Sequence, residues 1–143
     1  MEYAVAGMPL PRELVAVIQA GKWIPPTDPQ VYLDTFGELP DHAMFYSLDE
    51  MIRQNSSWQS SSAQEVFGNP VKGRSVGIEP ARSVLIGDLG PDMPIALDFR
   101  SSEDNPSVLY QTFRSAVVWL RIADNVCELL KRLKITGGNP LEA

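Results

Sequence analysis

The sequence predicts an α+β domain, with a central antiparallel β-sheet run as a meander, N-terminal helices flanking it and a C-terminal helix closing it. Three features predict this. Helix-start and helix-stop signals crowd the first third of the chain. Short apolar runs separated by turn residues follow between positions 83 and 119, and an amphipathic segment of helical period comes directly after them.

The helices are read from their ends inward. Leu10-Pro11-Arg12-Glu13-Leu14 opens the first, because proline is tolerated where the helix has no use for an N–H; Leu14, Val17 and Ile18 then share a face, and Gly21 ends it. Thr27-Asp28-Pro29 repeats that start, Val31, Leu33 and Phe36 supply apolar positions, and Gly37 supplies the stop. Ala43-Met44-Phe45-Tyr46 has the character of a strand. Ser47-Leu48-Asp49-Glu50 has the spacing of a capping box, so a third helix is expected through about Gln54. Residues 55–65 are rich in serine, asparagine and glutamine and are expected to form a mobile loop, and residues 66–82 a further loop with at most one short strand.

The second half supplies the sheet. Residues 83–87 and 94–99 are apolar runs joined by Asp88-Leu89-Gly90-Pro91-Asp92-Met93, a connection suited to a hairpin, and residues 107–110 and 116–119 are further strand candidates. Ile122, Val126, Leu129, Leu130 and Leu133 then recur at helical spacing, with Asp124 early and Lys131, Arg132 and Lys134 late, where each sign suits the helix dipole; Gly137-Gly138 is the expected stop.

Length and composition favour a single domain over residues 1–143, since 143 residues at 44% hydrophobic content can bury a core without disulfide or metal support. The lone cysteine, Cys127, falls in the apolar periodic segment, where it is expected to be packed. It cannot form a disulfide within the chain, which fits a reducing, cytoplasmic setting. The first seven residues lack the basic and apolar regions of a signal peptide, and no segment reaches membrane-spanning length.

The formal charge is −6, which argues against direct DNA or RNA binding, because that mode needs clustered lysine and arginine to displace counterions. The excess is uneven: residues 1–71 carry 9 acidic and 3 basic side chains, whereas residues 72–143 carry 9 of each. An acidic face of this kind can steer a basic partner, and it also keeps a protein soluble.

No motif in the sequence has the residues its chemistry requires. Gly68-Asn69-Pro70-Val71-Lys72-Gly73-Arg74-Ser75 has the spacing of a phosphate-binding loop, but arginine replaces its lysine and Val76-Gly77-Ile78-Glu79-Pro80 cannot be the helix it must open. Asp88, Asp92 and Asp98 are close in sequence, yet they sit among turn residues and lack the glycine and glutamate of a calcium loop. One histidine, His42, and one cysteine do not make a zinc site or a Cys/His nucleophile pair, and no Gly-x-Ser-x-Gly elbow is present. The expectation is a protein without catalytic residues, cofactor or metal. Of the three tryptophans, Trp119 is expected in the core, and Trp58, in a polar stretch, is the candidate anchor for a partner.

Several segments together resemble the SUKH superfamily of yeast cell-wall-synthesis regulators and bacterial toxin-immunity proteins. They are Leu85-Ile86-Gly87-Asp88-Leu89-Gly90, Pro94-Ile95-Ala96-Leu97-Asp98-Phe99-Arg100, Pro106-Ser107-Val108-Leu109-Tyr110 and Trp119-Leu120-Arg121-Ile122-Ala123 running into the last helix. Leu10-Pro11-Arg12-Glu13-Leu14 and Phe45-Tyr46-Ser47-Leu48-Asp49-Glu50 extend the likeness to about three quarters of the chain, whereas Gly21-Lys22-Trp23-Ile24-Pro25-Pro26 stands where the family has a glycine-rich stretch. The resemblance implies an α+β fold, no enzymatic activity and, for bacterial members, neutralisation of a toxin, often a nuclease, by direct binding. The expected contact residues are Asp34, Glu38, Asp41, Asp49, Glu50 and Trp58, facing a basic protein partner. The alternatives are a regulatory adaptor of the cell's own machinery and an unrecognised small-molecule binder or enzyme.

Overall fold

Among residues 3–58, 78–100, 102–112 and 118–135, which the computed structural model describes, four α-helices flank a five-stranded antiparallel sheet, with a two-stranded hairpin beside it. The helices are α1 (Arg12–Gln19), α2 (Pro29–Phe36), α3 (Leu48–Trp58) and α4 (Val126–Arg132). The hairpin pairs β1 (Ala4–Val5) with β2 (Met8–Pro9). The sheet holds β3 (Met44–Phe45), β4 (Ser83–Asp88), β5 (Pro94–Asp98), β6 (Ser107–Thr112) and β7 (Val118–Ala123), hydrogen-bonded in chain order. The expected α+β meander is thus present.

Local chemistry accounts for the helix ends. The Asp28 carboxylate accepts from the Gln30 N–H at 2.9 Å, Pro29 sits where no N–H is needed, and Gly37 takes a left-handed φ of 79° while its N–H closes on Leu33 O at 3.0 Å. The box at Ser47 is half formed: Ser47 Oγ accepts from the Glu50 N–H at 3.2 Å, but the Glu50 carboxylate turns down the helix to Arg53 and Gln54. Helix α4 begins at the Asn125 cap, whose side chain accepts from the Glu128 N–H at 2.8 Å, rather than at Ile122. Ile122 belongs to β7, because pairing with β6 runs from Thr112↔Val118 to Val108↔Ala123 and claims the residue for the sheet. The helix ends without glycine, as Lys134 adopts φ 58° and the Ile135 N–H bonds back to Leu130 O at 2.9 Å. The expected stop at Gly137-Gly138 lies outside the described residues.

Two further expectations change, and one element was not foreseen. The stretch expected to be a loop from residue 55 begins as helix, because α3 continues through Trp58 with Asn55 and Trp58 both turned inward; residues 59–77, including the phosphate-loop-like motif, lie outside the described residues. The first residues form a hairpin that no turn signature announced. Its two-residue turn places Ala6 and Gly7 at φ 52° and 81°, a conformation usually marked by Asn-Gly or Asp-Gly. Cys127, finally, is exposed on α4 rather than packed.

Both faces of the sheet are buried. Register places Leu85, Ala96, Leu109 and Trp119 on one face, and Val84, Leu97, Val108 and Tyr110 on the other, all with little or no exposure. At the end of α3, Trp58 meets the first face, its ring 5.9 Å from Trp119; at the end of α2, Phe36 meets the second, edge-on to Tyr110 at 5.0 Å. Burial at this level contributes about 2 kcal/mol for each large aliphatic side chain, and it holds the helices to the sheet.

Candidate protein-binding surface

The acidic residues expected to meet a partner lie along one continuous path, from the end of α2 through the chain leading into β3 and on into the first turn of α3. Asp34 is exposed on α2, where its carboxylate accepts from Gln30 Nε2 at 2.8 Å and its carbonyl from Arg132 Nη1 at 3.5 Å. Glu38 follows the α2 stop and accepts a hydrogen bond from the Tyr110 hydroxyl, which ties the path to the middle of the sheet. Asp41 is exposed. Its backbone N–H and that of His42 both donate to Leu89 O, at 2.8 and 3.0 Å.

That segment fits against the β4–β5 turn because two glycines leave room for it. A Cβ at Gly90, whose φ is 144°, would stand 2.9 Å from Asp41 Cβ, and one at Gly87 would stand 2.7 Å from the carbonyl oxygen of Met44. The sequence Gly87-Asp88-Leu89-Gly90 is therefore a seat for the residues entering β3. Asp49 and Glu50 then occupy the first turn of α3, where the helix dipole favours negative charge. Hydrogen bonds from Arg53 and then Gln54 hold the Glu50 carboxyl below the usual carboxylate range.

The structure brings one pair together that sequence reading did not anticipate. Tyr46, just past β3, donates from its hydroxyl to Asp88 at 2.5 Å, so a phenol and a carboxylate fasten the edge strand to β4. Burial, and next the bond to Asp88, push the Tyr46 phenol well above its ordinary value. Burial also raises Asp88 above 3.8, against the opposing pull of the bonds from Tyr46 and the Gly90 N–H and the proximity of His42. The clue was the register: Met44 pairs with Asp88, two residues before Tyr46, which no sequence spacing displays.

A carboxyl raised by folding stabilises the native state most when protonated, below its unfolded value, and that contribution is lost as pH rises through the native value. The Tyr46 bond acts in the opposite sense, since it favours the ionised form. Tyr46→Phe is therefore expected to cost about 1.5 kcal/mol near pH 7, less near pH 3, and to move the Asp88 titration further upward. Urea unfolding at the two pH values, with the Asp88 carboxyl carbon followed by NMR, checks it; an equal cost at both would contradict it.

The carboxylates of Asp88 and Asp98 are both engaged in structure. The Asp88 side chain accepts from the Gly90 N–H at 3.0 Å, as a turn-building aspartate does, and Asp98, itself buried, accepts twice from the Arg100 guanidinium at 2.9 Å. Asp92 takes a left-handed φ of 63° in the same turn. Among the described residues no group of three or more histidine, cysteine or acidic side chains could hold a metal ion, and no helix is long and apolar enough to cross a membrane.

Trp58 is the correction among the expected contact residues. It is 3% exposed, its indole N–H donates to Ser83 Oγ at 2.8 Å, and its ring packs on Trp119, so it belongs to the core and not to a partner surface. The polar residues after it concealed the inward-facing positions Met51, Asn55 and Trp58, which recur at intervals of four and three along α3.

Comparison with known protein families, with characterised proteins and with solved structures returned no match.

Proposed function

We propose that this chain is a non-enzymatic, cytoplasmic binding protein of the immunity type, neutralising a basic toxin by covering its surface, as the resemblance to the SUKH superfamily implies. The single observation behind the reading is the placement of charge. The whole excess of negative charge falls in the first half of the sequence, and Asp34, Glu38, Asp41, Asp49 and Glu50 are carried on α2, on the first turn of α3 and on the segment between them, which hydrogen-bonds to Leu89 O in the β4–β5 turn. A surface held in place before binding loses little entropy on association. A nuclease active site is basic because it holds phosphates, so an acidic cover would speed encounter and favour the correct partner.

Co-expression with a toxin encoded beside the gene tests the reading. The expected result is restored growth and recovery of a stable complex. Asp41→Lys combined with Asp49→Lys is expected to slow association about tenfold at low salt and to flatten its dependence on ionic strength, with unfolding unchanged. Stopped-flow mixing across a salt series reads both. Recovery of housekeeping proteins, with no toxin bound or neutralised, would replace this reading with the regulatory-adaptor one.

A further inference from the structure

The outer edge of β4 is covered in two parts. β3 pairs with Gly87 and Asp88, and beyond its end the Asn55 side chain of α3 takes over, donating to Leu85 O at 2.9 Å and accepting from the Leu85 N–H at 2.8 Å. Among the described residues the outer edge of β3 pairs with no strand. Tyr46 donates its N–H inward to Ile86 O at 3.0 Å, and the Met44 carbonyl points inward against Gly87. Each trans peptide directs its N–H and C=O to opposite sides, so both the N–H and the C=O of Phe45 point away from β4. Among the described residues, no strand lies on that side.

The surroundings of this edge indicate what would lie along it. Residues 38–52 contain four carboxylates and no lysine or arginine. Five large apolar side chains are exposed among the described residues, and four of them are in β3, on the segments flanking it or next to a residue that touches it. Met44, 44% exposed, is in β3; Leu39, 53% exposed, is in the segment entering it; Ile52, 57% exposed, is on the helix leaving it; and Ile24, 61% exposed, adjoins Trp23, whose ring stacks on Phe45 at 4.3 Å. β3 is itself very short, which is one way proteins blunt a free edge, but the groups around it are apolar and acidic, and none is a lysine or arginine.

We propose that the outer edge of β3 is a strand-addition site for an extended, cationic segment of a partner protein. The backbone of that segment exchanges hydrogen bonds with the N–H and C=O of Phe45, its apolar side chains contact Met44 and neighbouring exposed groups, and its lysines or arginines face Asp41 and Asp49. The proposal rests on the acidic-surface reading above and adds the mode of recognition to it.

Three synthetic peptides of about eight residues, a length typical of a short strand, separate the two ideas. One alternates lysine and valine, the second is its fully N-methylated counterpart, which cannot pair as a strand, and the third alternates threonine and valine. Fluorescence anisotropy on the full chain is expected to show the first binding at least tenfold more tightly than either of the others. The Phe45 amide should shift in NMR spectra and exchange more slowly. Met44→Lys, a change at an exposed side chain, is expected to weaken that binding at least fivefold. Equal binding of the N-methylated peptide would overturn strand addition and leave the acidic reading standing; equal binding of the neutral peptide would do the reverse. Binding by none of them, amide shifts confined to other strands, or an unaffected Met44→Lys variant would overturn the proposal.

Discussion

Replacing Trp58 with alanine is expected to destabilise the protein by about 4 kcal/mol, because it empties the space between α3 and the first face of the sheet and leaves Ser83 without its indole donor. Against a total stability of about 5–15 kcal/mol, a loss of this size removes roughly a quarter to four fifths of the margin. Trp58→Phe keeps a ring against Trp119 and is expected to cost about half as much. Urea titration followed by circular dichroism measures both. If Trp58→Ala left stability unchanged while abolishing partner binding, the residue would be a surface anchor after all, and the packing of α3 described above would be wrong.

Asn55→Ala is the second large effect, expected at about 3 kcal/mol. Asn55 is 1% exposed and its side-chain amide bonds three backbone groups, the carbonyl of Met51 and both the N–H and C=O of Leu85. Removing the amide deprives two buried groups of β4 of their partners, and an unsatisfied buried donor or acceptor costs about 1–3 kcal/mol. The same change opens the β4 edge, so refolding yield should fall with protein concentration as exposed edges pair between molecules. Equilibrium unfolding and light scattering during refolding check the two effects. A cost under 1 kcal/mol would show that water replaces the amide and that α3 does not seal the edge.

These two residues also mark where sequence reading stopped. Each of the five sheet strands overlaps or adjoins an apolar run legible in the sequence, because each run was bounded by turn residues and the sheet is buried on both faces. The capping of α2 was legible for the same kind of reason, since Asp28, Pro29 and Gly37 act within a few residues of one another. Asn55 and Trp58 stand among polar neighbours that predict a loop, and the contacts that hold them inward come from Leu85, Ser83 and Trp119, at least 25 residues away. The Tyr46–Asp88 bond was hidden in the same way, across 42 residues. The acidic path from Asp34 to Glu50 was legible as charge. The glycines that seat it against the β4–β5 turn were visible only as turn residues, since the close approach of Asp41 and Met44 is a property of the folded chain.

Hydrogen exchange of the chain in complex with its captured protein partner tests the central claim most directly. Protection gained on binding is expected over residues 38–53, with the Phe45 amide among the most slowed. Protection confined to α4 and the residues just after it, where Lys131, Arg132 and Lys134 gather, with residues 38–53 exchanging as in the free protein, would contradict the claim that the acidic first half is the recognition surface.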